Sequence, residues 1–123
     1  MIGKVYLTYM DYYDLRTKTT RKKSRPVLVV GGPRNDDYTV LPISTISKRQ
    51  NLDSDYDILV DAAERTVLSL DKECFIRTHK QTPMHQAQLI KCLGDMRTDL
   101  PDLYLDAISR MEQFQAEVLN NAI

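Results

Sequence analysis

A chain of 123 residues, 42% apolar and 28% charged, is long enough to bury one hydrophobic core and too apolar to remain disordered. Its formal net charge is zero, but residues 1–50 hold ten Lys/Arg against four Asp/Glu, whereas residues 51–123 hold seven against thirteen. That split predicts a surface for anions near the start and an acidic remainder. The longest apolar run, Pro26 to Val30 with two glycines behind it, is far short of a membrane span. The opening Met1-Ile2-Gly3-Lys4-Val5-Tyr6 lacks the apolar stretch of a signal peptide, so a cytoplasmic protein without membrane association is expected. Two cysteines, Cys74 and Cys92, eighteen apart, fit neither a disulfide framework nor a four-ligand zinc site and read as reduced thiols.

In chain order, Gly3 to Met10 alternates apolar and polar residues and reads as a strand, with Val5, Leu7 and Tyr9 on one face. Asp11 to Ser24 is polar and without apolar periodicity, and reads as a long exposed loop. Most of the positive excess comes from one stretch, Arg16 to Arg25, which contains Arg16, Lys18, Arg21, Lys22, Lys23 and Arg25, and a solvated surface is the plain alternative for such a run. Arg25 to Val30 is a second strand, started by Pro26, whose missing N–H suits that position. Gly31 to Asp37 is turn chemistry throughout, and Tyr38 to Ser44 is a third strand. A polar loop, Ser47 to Tyr56, carries Lys48 and Arg49.

Asp57 to Val60, Lys72 to Thr78 and Gln88 to Leu93 are shorter strand candidates. From Pro101 the period changes. Tyr104, Ala107, Ile108, Met111, Phe114 and Val118 recur at three- and four-residue steps, one face of an amphipathic helix. Leu103, Leu105 and Leu119 fall outside that face and are expected on a partner surface. Five to seven short strands closed by a C-terminal helix make a mostly β, α+β half-open barrel.

Three groups carry the chemistry. Arg25 stands where the basic segment enters a buried strand, so its planar fork of donors is held by the core behind it and suits two phosphate oxygens at once. Ser44 and Thr45 end the third strand, and pairing of the second and third strands brings one of them to Arg25; backbone capping is the alternative for either hydroxyl. Arg77 is expected as a second phosphate contact, with a structural ion pair as the equal alternative. His79 and His85 read as surface side chains rather than proton-transfer groups, and no metal site is expected from their spacing.

The ordered set Gly3-Lys4-Val5-Tyr6, Arg25-Pro26-Val27-Leu28-Val29, Leu41-Pro42-Ile43-Ser44, Ile76-Arg77-Thr78, Leu89-Ile90-Lys91-Cys92-Leu93-Gly94 and the closing helix resembles the MazF/PemK family of bacterial toxin–antitoxin toxins. The resemblance spans nearly the whole chain. It implies an SH3-like barrel, a homodimer, and an endoribonuclease that cuts single-stranded RNA without metal or other cofactor. It also implies a cognate acidic antitoxin that covers the RNA groove. The cleavage residues it implies are Arg25 and Ser44, which stands where the family usually has a threonine, with Thr45 just behind it as the other candidate hydroxyl. Arg21, Lys22, Lys23, Lys48 and Arg77 are then the expected RNA-binding residues. Two other readings of the same fold are a non-enzymatic CcdB-like gyrase poison and an inactive phosphate-binding module.

Overall fold

A computed structural model describes residues 1–123, apart from the side chains of Met10 and Tyr12. Seven strands form one curled antiparallel sheet: β1 (Lys4–Asp14), β2 (Thr19–Arg34), β3 (Asp37–Ser44), β4 (Asp57–Val60), β5 (Cys74–Arg77), β6 (Thr82–His85) and β7 (Leu89–Asp95). The order along the sheet is β4-β5-β3-β2-β1-β7, with β6 on the edge of β3 that β5 leaves free. The ends β4 and β7 do not pair, so the barrel stays half open, and α3 (Pro101–Ala122) closes it. This is the mostly β, α+β architecture read from the pattern. Two short helices, α1 (Ala62–Val67) and α2 (Met96–Asp99), complete the chain. No described helix is long and apolar enough to cross a membrane.

The sheet buries both of its faces, because strand side chains alternate. Against α3 lies the larger core, in which Val5, Leu28, Leu41, Ile43, Val60, Leu68, Ile76 and Met96 are almost wholly buried. Leu103, Tyr104 and Ala107 supply the helix side of it. Leu103 is therefore a core residue rather than part of a partner surface: it sits one step before Tyr104, on the flank of α3 that α2 and the sheet enclose. Leu105 and Leu119 remain exposed. The opposite face holds a smaller cluster of Val27, Val29, Tyr38, Val40 and Met84, flanked by Ile2, Tyr6 and Leu89.

One expectation is overturned. The stretch Asp11–Ser24 is not a loop but the outer part of a two-stranded arm, since β1 runs on to Asp14 and β2 begins at Thr19. The ladder is unbroken from Val5↔Leu28 to Asp14↔Thr19. Apolar periodicity could not reveal it, because an arm standing clear of the core has no face to bury. What holds it is cross-strand chemistry: β-prone Thr19 and Thr20 face Asp14 and Tyr13, Asp11 pairs with Lys22, and Arg21 lies 3.8 Å from Asp14. The turn closes at Lys18, whose φ is 56°. Likewise Gly31–Arg34 continues β2, and only Asn35 and Asp36, both at positive φ, make the turn. The strand β6 was not legible: Thr82-Pro83-Met84-His85 buries Met84 alone.

Leu28 lies at the centre of the main core with no exposed surface. Leu28→Ala is expected to lower stability by about 2–5 kcal/mol in urea unfolding, with an unchanged m-value.

Candidate phosphate-binding site

Arg25 belongs to β2 and Ser44 to the last position of β3. The β2–β3 ladder includes Val27↔Pro42, and two further residues of the same register set Arg25 opposite Ser44. The side chains meet there: Arg25 Nη1 donates to Ser44 Oγ at 3.4 Å. Both residues are half-buried, and both lie on the face of the smaller core, just beyond Val27 and Val40. The contact is at the long limit of a hydrogen bond. Among the described residues Arg25 takes part in no ion pair. A guanidinium carries five N–H donors, so most of this fork is left for a ligand.

A row crosses five strands at this level. Thr8 pairs with Arg25, Arg25 touches Ser44, Ser44 pairs with Phe75, and Phe75 pairs with Leu59. Directly opposed residues of antiparallel strands share a face, so these side chains form one line across the sheet. Thr8 is fully buried, and its Oγ1 has no hydrogen-bond partner. A reading of the sequence passes over Thr8 and Phe75, because register between strands is not visible in any one segment.

Thr45, the second candidate hydroxyl, is exposed and lies on the other side of the strand end, where it lines a cavity with Leu7, Ser24, Pro26 and Leu70. Of the two hydroxyls, the fold brings Ser44 to Arg25. Arg21, Lys22 and Lys23 are exposed on the arm. Alternation puts Arg21 and Lys23 on the Arg25 side and Lys22 on the reverse, beside Asp11. Lys48 is exposed immediately before the 3-10 turn Arg49–Asn51.

Arg77 forms the ion pair that was the alternative to a phosphate contact. Its Nε donates to Asp57 Oδ1 at 3.1 Å and its Nη2 to Oδ2 at 3.4 Å, and Nη2 also reaches the Asn51 carbonyl. The Asp57 side chain is completely buried and also accepts from the Asp53 N–H at 2.8 Å. This fork ties the loop before β4 to the row next to Phe75 and Leu59. The two cysteines are free thiols, Cys74 buried and Cys92 exposed. Burial pushes the Cys74 thiol up. Among the described residues, no three His, Cys, Asp or Glu side chains gather as metal ligands.

Of the two histidines expected at the surface, His85 is there and His79 is not. His85 is exposed and its Nδ1 accepts from the Ala87 N–H at the 3-10 turn that follows. His79 is enclosed between the rings of Tyr56 and Phe114, with centroids 5.8 and 6.0 Å away, because the β5–β6 turn folds beneath α3. Its Nδ1 lies 3.8 Å from Asp57 Oδ1, beyond hydrogen-bond reach, and has no other partner. Tyr56 in turn donates to Glu117 on α3, which pushes its hydroxyl up to about 12.

Burial holds the His79 imidazole below its ordinary 6.5, outweighing the opposite pull of Asp57 and Asp53. The unfolded chain takes up this proton near pH 6.5, and the folded protein only at lower pH. The stabilisation is therefore complete above 6.5 and is lost as pH falls toward the folded value. Urea midpoints measured from about pH 7.5 down to about pH 5.5 should decline, and His79→Phe should flatten that decline.

Comparison with known proteins finds no matching family model and no matching curated protein, so the assignment of function rests on this geometry.

Proposed function

We propose that the chain is a MazF/PemK-like toxin, an endoribonuclease that cleaves single-stranded RNA through the substrate's own 2′-hydroxyl and without a metal. The observation that carries this reading is the Arg25–Ser44 pair: a permanently charged fork, half-buried, without a carboxylate partner among the described residues, beside a hydroxyl. An exposed basic arm leads into it on the same face. Such a pair suits a phosphate whose negative charge rises during reaction.

In the proposed reaction the 2′-oxygen attacks the adjacent phosphorus and the bond to the 5′-oxygen breaks. The products are a 2′,3′-cyclic phosphate and a 5′-hydroxyl that gains the proton lost by the nucleophile. Arg25 holds the non-bridging oxygens of the phosphorane, and Ser44 donates its hydroxyl to one of them. DNA lacks the nucleophile, so it binds without being cut. Arg21, Lys23 and Lys48 supply backbone attraction around the pair. Lys22, on the reverse of the arm, adds to the general field, and Arg77 acts through the ion pair that steadies the neighbouring row.

A cognate acidic antitoxin would occupy the same basic face. The apolar side chains that α3 leaves uncovered, Leu105 at 62%, Val118 at 48% and Leu119 at 62% exposure, support a homodimer. The two free thiols are in keeping with a cytoplasmic setting.

Single-turnover cleavage of single-stranded RNA in excess chelator tests the mechanism. Arg25→Lys keeps the charge but loses the planar fork, and is expected to slow cleavage about 100- to 1000-fold. Ser44→Ala should be slower than wild type, whereas Thr45→Ala should cut normally. Cleavage by Arg25→Lys at the wild-type rate would show that the fork has no part in the chemistry.

Attraction through the arm predicts a dependence on salt. Each phosphate neutralised on a single strand contributes about −0.7 to the slope of log K against log salt. Replacing Lys22 and Lys23 together by alanine should flatten the slope, with the larger share from Lys23; an unchanged slope would leave the arm as a solvated surface.

A further inference from the structure

The row that carries Arg25 and Ser44 does not end at the hydroxyl. It runs through Phe75 and Leu59 to a cavity of about 430 Å³, which Leu52, Arg49 and Glu73 also line. That volume is in the range of small-ligand sites. The cavity begins one strand from Ser44, and neighbouring strands lie about 4.8 Å apart. Phe75 is therefore within reach of the base of a nucleotide whose phosphate lies between Arg25 and Ser44. Two exposed side chains of opposite charge line this recess, and among the described residues neither Arg49 nor Glu73 takes part in an ion pair.

We propose that this cavity is a base-recognition subsite that selects guanine, resting on the reading of Arg25 and Ser44 as the phosphate site. Phe75 provides a stacking surface, which every base accepts and which therefore gives affinity without choice. Choice falls to the charged groups at the edge. A carboxylate accepts hydrogen bonds only, so Glu73 requires donors. Guanine alone presents two adjacent donors, N1–H and the 2-amino group. Adenine and cytosine set one amino group beside an acceptor, and uracil sets its single N–H between two carbonyl oxygens, which repel a carboxylate. Arg49 is a donor only and matches the O6 and N7 acceptors on the neighbouring edge of the same base. The pair of charges thus reads two edges of one purine.

The subsite is tested with 2′-fluoro single strands, which lack the attacking hydroxyl and cannot be cut. One strand is all uridine, and the other carries a single guanine. Fluorescence anisotropy of labelled strands should show the guanine strand bound about tenfold more tightly by the wild type. Glu73→Gln, which loses one acceptor and gains a donor, should remove the difference between the strands. Phe75→Leu should weaken both strands alike, by about tenfold. Equal affinities in the wild type, or a guanine preference that survives Glu73→Gln, overturn the subsite.

Cleavage separates this inference from the reading beneath it. A protein that cuts guanine-free RNA as fast as guanine-containing RNA has the nuclease site without the subsite. One that prefers guanine and cuts nothing has the subsite without the nuclease. A protein that holds neither strand has neither.

Discussion

The structure hangs on β3. Its eight residues pair with β2 along one edge, while the other edge is shared by two strands: β6 takes Asp37 to Val40 and β5 takes Ile43 and Ser44. Between those two partners the chain leaves the sheet at Thr78 to Gln81, which is where His79 is carried under α3. Alternation along β3 then assigns every side chain. Leu41 and Ile43 enter the large core, Tyr38 and Val40 enter the small one, and Ser44 emerges at the end of the second series. A slip of one residue would bury Ser44 and expose Ile43, so the burial of Ile43 is what fixes Ser44 beside Arg25.

The two cores do different jobs for the site. The large one, with α3 against it, keeps the sheet curled. The small one ends at Val27 and Val40, next to Arg25 and Ser44, and gives the polar row a rigid edge to stand on. The Asp57–Arg77 fork performs the same service on the far side, clamping the loop before β4 beneath Phe75 and Leu59. A guanidinium at the edge of a packed core, touching Ser44 and without an ion-pair partner among the described residues, keeps its charge uncompensated at the surface.

How far the sequence reveals this depends on whether burial leaves a trace in it. Asp57–Val60 is a strand with the predicted ends, and Arg25 to Val30 and Tyr38 to Ser44 lie within the observed strands, because each alternates toward a core. The helix after Pro101 is equally plain from its spacing. The meeting of Arg25 with Ser44 followed from pairing adjacent strands, the simplest topology available. The arm, β6, the burial of His79 and the row through Thr8 and Phe75 were hidden for a common reason. Each depends on register or on contacts between distant segments, such as Phe114 on α3 against His79, and neither leaves a periodic mark in the chain.

The arm has a thermodynamic meaning that a loop of the same residues would not. Fixing a flexible residue costs on the order of 1–2 kcal/mol in lost backbone freedom, and a segment that orders only on contact meets that cost from the energy of association. In the arm the ladder from Thr8↔Arg25 to Asp14↔Thr19 is already closed. An anion lying along Arg21, Lys23 and Arg25 thus meets a surface whose backbone is set before it arrives. Association there would be accompanied by little change in heat capacity or in exposed area, and its strength would track the charges rather than the folding of the segment that bears them.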